Sequence, residues 1–170
     1  SKTKEEFISF MEPYSIENYA RNHFRKRKGM IIFNSQAIQK ITTFSMKPLT
    51  KPLLEKIPIS KKDSTEKLNI YILLFIDVLI DEKQEKYYKG RRDTYKNDLI
   101  LGIVKILRDD GSLIDEFFMQ IIKLMRNSPS HETLLLSWNL LLIFSTLFYV
   151  KDEKISNVIR WFLIQNLLIL

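Results

Sequence analysis

The chain has 170 residues, 45% apolar and 28% charged, the balance of one globular domain with a substantial core. It contains no cysteine, which excludes disulfides and cysteine-ligated metal sites. Its net charge of +7 is lopsided: residues 1–62 hold 13 Lys/Arg against 5 Asp/Glu, whereas residues 63–170 hold 14 against 15. A basic first third favours an acidic partner, whether nucleic acid, an anionic membrane or an acidic protein segment.

Glycine is scarce, no alternating run carries hairpin signals, and helical spacing recurs instead. Glu5 to Met11 reads as a short helix stopped near Pro13, and Ile16 to about Lys28 as a second. A third runs from Ser35 to Phe44. Then "MKPLTKPLLEKIPISKKD", with Pro48, Pro52 and Pro58, reads as an extended or turn-rich connector. Thr65 to Asp81 carries a broad apolar face. "EKQEKYYKGRRD" is a charged loop or helix end broken at Gly90, and Asp93 to Leu107 is helical again. Ser112 with Asp115 has capping-box spacing. The helix it opens places Ile114, Phe117, Phe118, Ile121, Ile122 and Met125 on one side. Asn127-Ser128-Pro129-Ser130 is a break and a new N-cap. A turn at Lys151 to Lys154 precedes a last helix reaching about Leu170. The start without Met and the apolar end "WFLIQNLLIL" are those expected of a fragment of a longer chain.

Between that N-cap and the last turn, residues 133–150 carry no charge. As a helix they span roughly 27 Å, short of a hydrocarbon core of about 30 Å. Ser137, Asn139, Ser145 and Thr146 are spread along the stretch. A helix apolar nearly all round is either membrane-spanning or central in a bundle. The amphipathic helices before it need a partner, so a buried central helix is expected and no transmembrane segment. The fold class is therefore all-α: one domain over 1–170, a compact bundle of about six to nine helices around a central hydrophobic helix.

Three motifs in order resemble the myosin tail homology 4 domain. "LIDEFFMQIIKLMRNSPS" followed by "SWNLLLIFSTLFY" matches its acidic pair, aromatic, Gln, aliphatic, basic residue and Trp helix through Asp115, Glu116, Phe118, Gln120, Ile121, Lys123, Asn127, Ser130 and Trp138. "MKPLTKPLLEKI" is similar to its Pro-Leu-x-x-Pro-Leu-Leu element, carried by Pro48, Leu49, Pro52, Leu53 and Leu54. "YARNHFR", Tyr19 to Arg25, resembles its N-terminal helix. Ser137 stands where the family usually has Gly, residues 29–45 form a longer connector, and Glu82 to Asp93 carries its own basic cluster. The resemblance implies a helical tail module of unconventional myosins or certain kinesins, commonly placed before a FERM domain. It also implies protein partners, microtubules or cargo adaptors. Some relatives sit beside RhoGAP domains.

The residues themselves point away from catalysis. Asp115 and Glu116 are adjacent on a helix and diverge by about 100°, whereas general acid–base pairs converge across a cleft. Their plain role is dipole stabilisation in a first turn plus a link to a neighbouring helix. His23 and His131 lack further ligands at metal-binding spacing, and no Gly-rich phosphate loop is present, so neither a metal nor another cofactor is expected. Trp138 and Trp161 read as core residues. The basic clusters carry the functional signal: Arg25, Lys26, Arg27 and Lys28 at a helix end, Lys47 and Lys51 on the proline connector, and Lys89, Arg91, Arg92 and Lys96 near Gly90. Tyr87, Tyr88 and Tyr95 interleave with the last, a mix able to stack on bases. Half-buried packing is the simpler reading, and no nucleic acid is expected. The expected function is a non-catalytic, cytoplasmic, cytoskeleton-associated cargo-binding module of a motor tail. It presents a basic face to an acidic protein partner, such as tubulin tails or a cargo adaptor, and packs against an adjacent FERM-type domain. The alternative is a helical adaptor for anionic membrane lipids.

Overall fold

The computed structural model describes residues 2–26 and 34–167. The described residues form nine α-helices: α1 (Lys2–Met11), α2 (Ile16–His23), α3 (Ser35–Ile41), α4 (Lys62–Phe75), α5 (Glu82–Tyr88), α6 (Arg92–Asp109), α7 (Ile114–Met125), α8 (His131–Leu147) and α9 (Glu153–Leu167). Residues 42–58 are irregular, as the three prolines require. No helix among the described residues is long and apolar enough to cross a membrane.

The centre of the bundle is α7, not the apolar run that follows it. Every residue of α7 is buried, and α4, α8 and α9 pack around it. The helix at His131–Leu147 was expected to be buried all round, but it turns one stripe outward: Leu135 is 54% exposed and Leu142 67%. Its inner face is Thr133, Ser137, Leu140, Leu141 and Phe144. Phe144 meets Phe117 of α7 ring to ring at 4.6 Å. Ser137 is buried, and its hydroxyl donates to Thr133 O at 2.8 Å, so the polar atom is satisfied within its own helix. The Ser130 hydroxyl accepts from Thr133 N at 3.1 Å, the N-cap expected there.

Other boundaries shift for local reasons. The second helix ends at His23, well before Lys28, because Phe24 becomes extended and pairs with Leu54 in an antiparallel bridge. The charged segment after Asp81 is a helix, capped by the Asp81 carboxylate, which accepts from Lys83 N and Gln84 N. The capping box at Ser112 does not form. Asp110 caps a short 3-10 turn by accepting from Ser112 N at 3.1 Å, and Asp115 is engaged elsewhere. Along the α4–α6 contact, Gly102 lets the Tyr71 ring lie close to α6: a Cβ there would stand 2.8 Å from that ring and push it aside.

Candidate functional site

A helix buried on every side needs partners for its polar residues, and α7 draws most of them from the irregular connector. Glu116, fully buried, accepts from Leu53 N at 3.1 Å and Leu54 N at 3.0 Å. Asp115 pairs with Lys56 Nζ at 2.7 Å and accepts from Lys151 N at 3.3 Å. Gln120 donates to Thr65 O at 3.2 Å, and Lys123 to Thr43 O at 2.7 Å. Just beyond the helix, Arg126 donates to Thr42 O at 2.9 Å and to Glu17, and its guanidinium lies 5.6 Å from the centre of the Trp161 ring. The connector makes few backbone bonds of its own, so these side chains supply its partners.

The three sequence motifs meet at this place. Arg25 follows the bridge residue Phe24, takes Leu53 O with its backbone N–H, and donates from its guanidinium to the carbonyls of Glu55 (3.3 Å) and Ile57. Burial pushes the Glu116 carboxyl up to about 7, against the pull of the Leu54 and Leu53 amides and the Arg25 charge. The acidic pair is therefore structural, with Asp115 reaching Lys56 of the connector and not a neighbouring helix.

This clamp decides where the basic residues stand. Lys47 and Lys51 lie exposed on the held connector, and among the described residues no ion pair engages either. Arg25 is turned into the fold, and Lys26 beside it is exposed. Arg27 and Lys28 lie outside the described residues. The other cluster is assembled around α5 and α6, which pack on each other. Lys89 and Arg91 are exposed there, with Arg91 Nε donating to Tyr88 O at 3.2 Å. Arg92 pairs with Asp77, and Lys96 pairs with Asp77 at 2.8 Å while donating to Phe75 O. Burial lowers the Lys96 ammonium below the usual lysine range, against the pull of Asp77. The Tyr88 and Tyr95 rings meet in a tilted pair, centroids 5.0 Å apart, and Tyr88 donates to Asp98. The carbonyl-binding role of Arg25 and the Asp77 pairs of Arg92 and Lys96 had no signature in the sequence, because each partner is non-local.

Trp161 is buried, as expected. Trp138 is half-buried, and its ring meets Phe162 in a tilted contact at 5.7 Å. At the C-terminal edge Leu167 is exposed; Leu168 and Leu170 lie outside the described residues.

Residues 100–168, from within α6 through α9, match the MyTH4 domain model. Over this segment the chain is similar to the MyTH4 domain family. No curated protein matches the chain. A solved structure, that of the human Myosin 7b C-terminal MyTH4-FERM domain in complex with the harmonin-a PDZ3 domain, resembles it with a TM-score of 0.66 at 17% sequence identity. The likeness covers 86% of this chain and 28% of that one, and at this identity it is a likeness of fold. The MyTH4 match includes the acidic pair, Gln120, Lys123 and Trp138. The structure gives those positions their physical role: Asp115, Glu116 and Lys123 hold the connector, Gln120 binds the Thr65 carbonyl of α4, and Trp138 joins α8 to α9. The MyTH4 segment is thus the frame, and the residues before it provide the surface that the frame displays.

Proposed function

We propose that the chain is a non-catalytic, cytoplasmic protein-binding module of a cytoskeletal motor tail, recognising acidic protein segments, tubulin tails among them, through its basic connector. The observation that carries this reading is the clamp. Glu116, Lys123 and Arg126 hold an otherwise irregular stretch, and Lys47 and Lys51 project from it without partners among the described residues. A held connector offers its charges at little ordering cost, and the net +8 of residues 1–62 adds long-range attraction. The outward stripe of α8, with Leu135 and Leu142 exposed, together with Tyr149 just beyond it and Leu167, supports packing against a FERM-type neighbour.

The test is co-sedimentation with microtubules across a salt series, before and after proteolytic removal of the acidic tails. Exposed charges are screened over a Debye length of about 8 Å at physiological salt. Pelleting is therefore expected to be weak, to fall steeply with salt and to vanish with the tails. Salt-insensitive binding to tail-less microtubules, or binding to anionic vesicles alone, overturns the assignment.

A further inference from the structure

A cavity of about 460 Å3 opens between the end of α4, the turn at residues 76–81, α5 and the first turns of α6. That volume lies within the range of ligand sites, about 300–1,000 Å3. The turn is held in place: Asp77 takes a left-handed conformation at φ 61°, and Val78 and Leu79 both return their N–H groups to Leu73 O, at 2.9 and 3.1 Å.

The cations lining the cavity are already engaged, since Arg92 and Lys96 both pair with Asp77. What is left open has the opposite character. Among the described residues no ion pair or side-chain hydrogen bond engages Glu85. The Tyr95 hydroxyl is buried with no hydrogen-bond partner. Burial, then the carboxylates of Asp81, Glu85 and Asp77, raise the Tyr95 phenol above its ordinary value, which places that hydroxyl in a negative potential. A carboxylate without a partner, a phenol oxygen free to accept and the rings of Tyr88 and Tyr95 lining the space are together complementary to an ammonium or guanidinium group. Leu74 and Leu79 line the same space and suit the apolar stem of such a side chain. Ile80, 69% exposed on the rim, suits an apolar neighbour.

We propose that this α4–α5–α6 cavity is a second binding site, one that seats an arginine or lysine side chain of a protein partner beside an apolar residue covering Ile80. It is opposite in sign to the connector surface and independent of it.

The probe is the peptide acetyl-Leu-Arg-Leu-amide, titrated into the 15N-labelled 170-residue chain and followed by NMR, with its citrulline counterpart as the uncharged control of the same shape. Saturable shifts are expected at Leu79, Ile80, Glu85 and Tyr95, with affinity about tenfold weaker for citrulline, because the charge-assisted bond is lost. Glu85→Gln, at an exposed helix position, is expected to weaken the arginine peptide by about tenfold and to leave the unfolding midpoint unchanged. Lys47→Glu with Lys51→Glu leaves this affinity unaltered. Absence of saturable shifts at these residues, equal affinity for citrulline, or full affinity in Glu85→Gln overturns the proposal.

Discussion

Glu116 is the residue on which the connector hangs, and it is a carboxyl removed from water. Its pKa stands at about 7 against 4.5 in an exposed chain, because burial outweighs the two amides that favour its charge. Below about 4.5 the folded and unfolded chains are both protonated at this position. Between about 4.5 and 7 the unfolded chain releases the proton and the folded chain keeps it, so the stability held by the neutral form is lost as pH rises through this window. The unfolding midpoint of the native chain is therefore expected to fall relative to that of Glu116→Gln as the pH rises through this interval. The substitution itself carries a constant penalty of about 1–3 kcal/mol, because one amide donor then faces an NH2 group; the difference in slope is what tests the assignment. Parallel midpoint curves exclude a raised pKa. Arg126 bears on the same principle from the other end of α7. Arg126→Ala removes its bonds to Thr42 O and Glu17 and its place over Trp161. The expected loss is about 2–3 kcal/mol in denaturant unfolding.

Among the elements, α7 and α8 exchange the roles that hydropathy suggests. α8 carries no charge beyond its first turn, yet α7, with Asp115, Glu116, Gln120 and Lys123 in it, is the element buried on every side. Hydrophobic periodicity sees a polar residue as an outward face. It does not see a backbone amide of Leu53 waiting 3.1 Å away. The order and type of most helices were legible from spacing, and the N-cap at Ser130 from local residue chemistry. The early end of α2 was not, because Phe24 is extended by a bridge to Leu54, 30 positions on. The two faces of α8 give a direct check by thermal or denaturant unfolding. Phe144→Ala is expected to cost about 3–5 kcal/mol, because its ring is fully buried against Phe117. Leu142→Ala is expected to stay within about 0.5 kcal/mol, as for a surface position. Comparable losses at both positions contradict the outward stripe.

For the whole molecule, charge and fold divide the labour. The basic surplus of the first 62 residues was readable from composition. Which lysines stay exposed was not, because exposure depends on contacts across the chain. Arg25 binds the Glu55 and Ile57 carbonyls, Arg92 and Lys96 hold Asp77, and Lys47 and Lys51 remain outward on the clamped connector. The resemblance to the MyTH4 family, read from three separated motifs, has its physical basis in their convergence, since Phe24, Leu54 and Glu116 meet at one place. The central claim is that the connector lysines bind acidic protein segments. Its most direct test is the affinity of a fluorescent tubulin-tail peptide for two charge-altered chains, by anisotropy at low and physiological salt. Lys47→Glu with Lys51→Glu is predicted to lower affinity by about tenfold or more and to flatten the salt dependence, with an unchanged unfolding midpoint. Arg92→Gln with Lys96→Gln, which alters charges already paired to Asp77, is predicted to leave affinity within about twofold. Undiminished binding in the connector variant, or an equal loss in both, would contradict the account.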